Sequence, residues 1–152
     1  MEYPTEEEVR RYMQRLEREV MNECYLISKG VRSCMQMDVI GIKNVNENCP
    51  CITDALLSLE QVALRYDLNS VWFKYKDQSD VKEGFESYSF WVYRYPHQLP
   101  IIRAIEEVDE RNLLVDWITG KLLGYSDASM EEYLTRNVMN EVAADTTVLK
   151  KI

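Results

Sequence analysis

Two cysteines that flank a proline, Cys49 and Cys51, are the residues whose spacing first suggests chemistry. Structural zinc sites pair their ligands as C-x₂₋₄-C and add a second pair at a distance. Here the close pair is C-x-C, Cys24 and Cys34 stand alone, and the single histidine is His97. Redox cysteines use a C-x-x-C spacing at the start of a helix. The sequence therefore predicts reduced thiols, no metal site and no cofactor, and leaves the role of Cys49 and Cys51 open.

Side chains that could serve as acid, base or nucleophile form no recognisable catalytic set. His97 follows Tyr95-Pro96, and a surface or capping histidine is far commoner than a general base. The G-x-S-x-G nucleophile elbow does not occur. The adjacent carboxylates at 106–107 and 131–132 fall in predicted helices, so their side chains diverge into solvent. We expect a protein that is not an enzyme and has no catalytic residues.

The net charge of −8 is the strongest compositional constraint on partners. Nucleic-acid binders carry basic surfaces that replace phosphate counterions, whereas the N-terminal arginines of this chain alternate with glutamates. Direct binding of nucleic acid is disfavoured, and a protein partner with a basic surface is favoured. No apolar run approaches the about 18–20 residues that span a bilayer, and no signal-peptide pattern opens the chain. A cytoplasmic protein without membrane contact is expected.

The elements that must position these side chains begin with a long helix. The length of 152 residues and the scarcity of glycine and proline favour one domain over residues 1–152. A capping box of Thr5 and Glu8 starts a helix over 5–29, and Lys29-Gly30 ends it. That helix is long enough to offer a homodimer seam. A strand over 34–43, a loop over 44–50 and a helix over 53–66 are predicted to follow.

Two aromatic runs, 70–76 and 88–95, alternate in the manner of β-strands and flank the polar segment 77–86. We predict that they pair as an antiparallel hairpin at the centre of a small sheet. Their aromatic side chains are too many for one face, so the second face is either buried as well or exposed to a partner. The predicted binding residues are Trp72, Tyr75, Trp91, Tyr93 and Tyr95.

The last third of the chain has helical patterning over 98–109, 112–123 and 127–138. Pro100 suits a first helical turn. Gly124 suits a helix end, and Ser126 or Asp127 the following N-cap. The tail from Val138 is weakly patterned. The predicted fold class is therefore α+β, with a small antiparallel sheet covered by the N-terminal helix and the C-terminal helices.

The stretch WITGKLLGYSDASMEEYL, residues 117–134, carries the sharpest local signal. It resembles the helix-turn-helix of arabinose-regulator-type transcription factors, which often have LGYSDxS across the turn. The resemblance implies a DNA-binding transcription regulator that uses residues 115–136. The would-be recognition helix is nevertheless acidic, at Asp127, Glu131 and Glu132, and has Arg136 as its only positive residue. This charge favours a helical hairpin that packs without reading DNA.

A wider similarity covers residues 88–134, in which FWVYR, a proline and a helix precede WITGKLLGYS and MEEYL. This arrangement resembles small, uncharacterised accessory proteins of bacteriophages and mobile elements. The resemblance implies an acidic binding protein directed against a host system, such as an anti-CRISPR or another anti-defence inhibitor. The leading hypothesis is a non-enzymatic protein that contacts a host enzyme that handles nucleic acid. A helix-turn-helix regulator is the alternative.

Overall fold

A three-stranded antiparallel sheet and five helices make up the described part of the chain, which covers residues 4–43, 50–109 and 112–137 of the computed structural model. The predicted α+β class is confirmed. Two compact units divide the chain, residues 1–99 and 100–152, and the expectation of one domain stays a prediction. In chain order the elements are α1 (Glu6–Ser28), β1 (Cys34–Ile42), α2 (Ile52–Arg65), β2 (Asn69–Lys74), β3 (Phe85–Tyr93), α3 (Gln98–Glu107), α4 (Leu113–Leu122) and α5 (127–137).

Helix α1 begins where the capping box predicts. Thr5 Oγ1 accepts from the backbone N–H of Glu8, and the Glu8 carboxylate accepts from the backbone N–H of Thr5 at 2.7 Å. Three glutamates in the first turn lie against the positive end of the helix dipole. The face that α1 buries carries Leu16, Val20, Cys24 and Ile27. The hydrogen bonds of the first turn therefore define where the helix begins, and one apolar stripe packs it against the core.

The strand order is β1-β3-β2, with β3 at the centre and antiparallel to both neighbours. The predicted pairing of the two aromatic strands is confirmed, and β2 lies at an edge of the sheet. In the register, Met37 and Trp72 both lie opposite Phe90, one on each side. Because side chains alternate across a strand, Phe90 and Val92 share one face while Ser89 and Trp91 share the other.

The core of the first unit lies between one face of the sheet and the helices α1 and α2. Helix α2 contacts all three strands and packs along α1. Its start approaches β1 so closely that a Cβ on Gly41 would lie 2.8 Å from Ile52 Cδ1. Tyr12 of α1 accepts a 3.3 Å hydrogen bond from the backbone N–H of Ile40 in β1. The two helices thus cover the same face of the sheet.

The second unit is helical where it is described. Pro100 lies in the first turn of α3, as predicted. Ile102 and Ile105 of α3 and Met130 of α5 are buried. The predicted loop 44–50, apart from Pro50, and the tail from Val138 lie outside the described residues. Among the helices described, none is long and apolar enough to cross a membrane.

Candidate functional site

The five aromatic residues predicted to bind a partner lie in different environments. Trp91 and Tyr93 are buried on the sheet face opposite to α1 and α2. Trp72 is partly buried against the core, and Tyr75 is partly exposed. Tyr95, at 44% exposure, is the most accessible of the five. Both faces of β3 are therefore buried around Phe90–Tyr93, and the aromatic hairpin does not form one continuous exposed surface.

A polar cluster occupies the sheet face that carries Ser89. Tyr75 Oη donates to the carboxylate of Asp38, and Gln36 Nε2 donates to Asp38 Oδ1 at 3.1 Å and to Ser89 Oγ at 3.0 Å. Next to it, Gln78 Nε2 donates to the backbone oxygen of Tyr75 at 2.6 Å. No buried side-chain nitrogen or oxygen within the described ranges lacks a hydrogen-bond partner. The cluster thus stabilises the sheet through satisfied hydrogen bonds.

Three of the four cysteines are described, and all three carry free thiols. Burial raises the pKa of Cys24 to about 11 and that of Cys34 to about 12. Both thiols are therefore protonated at neutral pH and poor nucleophiles. Cys51 is the N-cap of α2, and its Sγ lies 3.3 Å from Asp54 Oδ2. Cys49 lies outside the described residues, so its relation to Cys51 stays open.

His97 follows β3 on an exposed turn. Its ring stacks on Tyr95, with the ring centroids 5.5 Å apart and an angle of 14° between the planes. No group of three or more His, Cys, Asp or Glu side chains that could hold a metal ion occurs in the described ranges. The contact that defines the position of His97 is thus an aromatic stack at the surface.

The helical hairpin expected over residues 115–136 is present as α4, a turn over 123–126, and α5. Asn112 caps α4 by accepting from the backbone N–H of Val115 at 3.0 Å. Gly124 has φ +88°, the left-handed conformation that glycine adopts without strain at a helix end. Ser126 caps α5, since its Oγ accepts from the backbone N–H of Ser129 at 3.1 Å. Local capping chemistry therefore defines both ends of the turn.

A cavity of about 340 Å³, here named the hairpin groove, lies between α4 and α5. At its floor the two helices lie close together, because a Cβ on Gly120 would overlap Met130 Sδ and lie 2.6 Å from Met130 Cε. Tyr125 and Tyr133 remain 57% and 47% exposed. The lining residues are Asp116, Thr119, Gly120, Leu123, Tyr125, Ser129, Met130 and Tyr133.

The charges of the hairpin are mostly paired within it. Lys121 Nζ forms an ion pair with Asp127, and Arg136 Nη2 lies 2.9 Å from Glu132 Oε1. These are the only basic residues between 113 and 137. Glu131 is exposed and makes no ion pair with the described residues. The exposed face of α5 is consequently acidic.

A second cavity, of about 290 Å³, lies in the first unit between the starts of α1 and α2 and the end of β1. Its lining is largely apolar and includes Tyr12, Ile40, Cys51 and Phe85. No feature of this lining specifies an occupant. The hairpin groove combines shape, exposed aromatic rings and charge, and is therefore the candidate functional site.

The sequence predicted a helical hairpin over residues 115–136 that packs without reading DNA, and it did not reveal the groove. Met130 does pack, at 4% exposure, whereas the two tyrosines stand half-exposed at the edge. The available signal was a pair of tyrosines, Tyr125 in the turn and Tyr133 two helical turns further along in α5. The sequence spacing alone does not reveal the close contact between Gly120 and Met130, which determines which side chains of the hairpin are buried.

The comparisons with known proteins find no counterpart. No family model matches the chain, and neither a curated protein nor a solved structure is significantly similar to it.

Proposed function

We propose that this protein is a non-enzymatic binding protein that acts by contact with a protein partner that has a basic surface. The observation that carries the proposal is the charge arrangement of the hairpin. Lys121 and Arg136 are paired with Asp127 and Glu132, while Glu131 stays exposed. An acidic helix of this kind attracts positively charged surfaces and repels phosphate.

The partner class follows from the chemistry that such a surface recognises. Enzymes that handle nucleic acid present basic clefts because they bind phosphates. An acidic protein that covers such a cleft inhibits the enzyme by occupying the place of the nucleic acid. The proposed role is therefore that of an inhibitor of a host enzyme, in the manner of a phage or mobile-element anti-defence protein such as an anti-CRISPR. This role implies action in the cytoplasm.

The test is a pull-down from a nuclease-treated host lysate with two charge-reversed variants. The hairpin variant is the double substitution Glu131→Lys and Glu132→Lys. The control is the double substitution Glu19→Lys and Glu83→Lys, which makes the same change in charge at exposed sites of the first unit. The proposal predicts that one host enzyme is captured by the wild-type protein and the control, and is lost with the hairpin variant. Equal capture by all three proteins contradicts a role for the hairpin charge.

A helix-turn-helix transcription regulator is the second candidate, because α4, the Gly124 turn and the Ser126 cap have the order and lengths of that motif. Its test is selection of a binding site from random duplex DNA. Specific binding that disappears in Ser129→Ala and Arg136→Ala supports the regulator. Failure to enrich any sequence removes this candidate and leaves the binding protein.

The expected homodimer through the N-terminal helix stays a prediction. Met21 and Tyr25 on α1 are 39% and 53% exposed, and a helix-to-helix contact would cover them. Light scattering of the purified protein, and of a Met21→Glu variant, distinguishes a monomer from a dimer that depends on this face.

A further inference from the structure

We infer that the hairpin groove binds a basic peptide segment of the partner and takes one aliphatic side chain of that segment between Tyr125 and Tyr133. This inference rests on the proposed function and specifies its contact site. The groove, at about 340 Å³, lies at the lower end of the range of about 300–1,000 Å³ that is usual for ligand sites. A single anchoring side chain and the adjacent backbone fit a space of this size.

The floor of the groove is suited to an aliphatic anchor. Leu123, Gly120 and Met130 supply apolar atoms, and the thioether of Met130 adapts to side chains of different shape. The hydroxyl of Thr119 is already engaged, since it donates to the backbone oxygen of Val115 at 2.8 Å. A polar anchor would therefore find few partners at the floor, and an aliphatic one would lose no hydrogen bonds.

The edge of the groove is suited to lysine or arginine on either side of that anchor. The half-exposed rings of Tyr125 and Tyr133 offer faces to cations. Asp116 adds a carboxylate to the lining, and none of the eight lining residues is basic. Along α5, Glu131 is exposed, and Glu132 lies one helical turn from Ser129 and is paired with Arg136.

These features select a basic peptide over other ligand classes. A nucleic-acid phosphate would meet the carboxylate of Asp116 and two tyrosine rings, and no positively charged side chain among the described lining residues. Aromatic side chains around a desolvated anchor are typical of the residues that dominate protein interfaces.

The probe is a fluorescein-labelled heptapeptide with the sequence Gly-Lys-Arg-Leu-Arg-Lys-Gly, titrated with the full chain and followed by fluorescence anisotropy. Two reference peptides replace the leucine with serine, or the four basic residues with glutamine. Burial of a leucine side chain corresponds to a change of about 10- to 100-fold in affinity, which is the loss expected for the serine peptide. Loss of binding by the glutamine peptide is also expected.

Two variants test the position of the site. Tyr133→Ala removes one wall, and Ser129→Lys places a positive charge on the edge at an exposed lining residue without changing a core side chain. Each variant is expected to lower the affinity for the leucine peptide at least about fivefold, as the loss of a hot-spot residue does. As controls, Leu64→Ala truncates an exposed apolar side chain of the first unit, and Ser79→Lys adds a positive charge at an exposed site there. Both should leave binding unchanged.

The outcomes of the peptide titrations distinguish the inferred groove site from the proposed function. Equal affinity for the leucine and serine peptides overturns the anchor but leaves the charge-driven partner of the proposed function intact. Binding that Tyr133→Ala and Ser129→Lys do not weaken overturns the groove as the site. A peptide that competes with short duplex DNA for the same protein also overturns the inference and favours the transcription regulator. The proposed function is tested separately by the pull-down, and it fails if the variant with Glu131→Lys and Glu132→Lys still captures the host enzyme.

Discussion

The side-chain amide of Gln98 donates a hydrogen bond of 2.8 Å to the hydroxyl of Ser33, 65 residues earlier in the chain. The amide oxygen of Gln98 accepts from the backbone N–H groups of Tyr95 and Arg94, at 2.9 and 3.2 Å. At 3% exposure, Gln98 is one of the few buried polar side chains. One residue therefore ties the segment before β1 to the segment after β3.

Gln98→Leu should destabilise the protein, because it removes the acceptor of the Tyr95 backbone N–H and the donor to Ser33, whereas the Arg94 N–H keeps its bond to the backbone oxygen of Ser33. The expected loss in free energy of unfolding is about 1–3 kcal/mol, the cost of buried groups left without partners. Urea denaturation measures it. Gln61→Leu, at an exposed position of α2, is the control and should stay within about 0.5 kcal/mol of the wild type. Similar values for both variants would contradict a structural role for Gln98.

Glu86 of the central strand joins both neighbouring strands through its carboxylate. Lys74 Nζ lies 3.1 Å and Lys43 Nζ 3.8 Å from Glu86 Oε1, and Tyr88 Oη donates to Oε2 at 2.9 Å. The hydrogen bond from Lys74 is the main cause that holds the pKa of Glu86 below its ordinary value of 4.5. The ionised carboxylate thus stabilises the fold above that pH, and the contribution is lost as the pH falls through the lower pKa of the folded state.

Glu86→Gln should accordingly reduce stability by about 1 kcal/mol at neutral pH, a modest value because the two lysines are half-exposed. The difference from the wild type should shrink as the pH is lowered below 4.5. Thermal unfolding between neutral and acidic pH measures both effects. Glu83→Gln, at an exposed position two residues before β3, serves as the control. A constant difference across the pH range would show that the charge of Glu86 is not involved.

The buried thiol of Cys34 predicts a loss of stability at high pH. Its pKa rises from 9.0 to about 12 on folding, mainly because burial disfavours the thiolate. The unfolded chain ionises first, so stability should fall above pH 9.0, by up to about 1.4 kcal/mol per pH unit from this thiol, until the folded pKa is reached. Cys34→Ala should make the slope shallower, although it lowers stability at pH 7.

Val39→Ala is the matched control for Cys34→Ala, since it also truncates a fully buried β1 side chain but removes no ionisable group. Its free energy of unfolding should fall with pH as steeply as that of the wild type. Denaturant titrations from pH 8 to pH 11 provide the comparison. An unchanged slope in Cys34→Ala would mean that other groups cause the alkaline loss.

Gly120 and Met130 should show strong energetic coupling. An alanine within α4 gains up to about 1 kcal/mol in helix propensity over glycine, but the added Cβ would displace the side chain of Met130 from the floor of the groove. The two effects oppose each other in Gly120→Ala. In a Met130→Ala background the same change should stabilise the protein by about 0.5–1 kcal/mol. A double-mutant cycle by thermal unfolding measures this coupling, and equal effects in both backgrounds would refute the contact.

Helix ends were predictable because their determinants are local. Thr5 and Glu8 define the start of α1, and Gly124 and Ser126 define the turn before α5, each through hydrogen bonds or backbone angles within a few residues. The predicted limits of β3 were less accurate. The strand begins at Phe85, three residues before the predicted start, because Phe85 lies opposite Ile42 of β1. Such a partner is remote in sequence and leaves no local pattern.

The candidate site was less predictable than the fold. Alternation showed that the aromatic residues of β3 occupy two faces, but it could not show that Trp91 and Tyr93 are buried. The polar cluster of Gln36, Asp38 and Tyr75 requires the register of three strands. The hairpin groove depends on a contact between Gly120 and Met130, ten positions apart. The features that the sequence could not predict were those that depend on contacts between residues far apart in the chain.

The central strand of the sheet is the last of its three strands in sequence. During translation, β1 and β2 therefore emerge from the ribosome with no strand to pair with, and α1 and α2 have only part of a surface to cover. Met35 and Val39 of β1, buried in the finished protein, lack their β3 neighbours Val92 and Tyr88 until that strand has left the exit tunnel. The three-stranded sheet can therefore form only after β3 has been synthesised, and before that point the unpaired strands of the nascent chain are open to aggregation or chaperone binding.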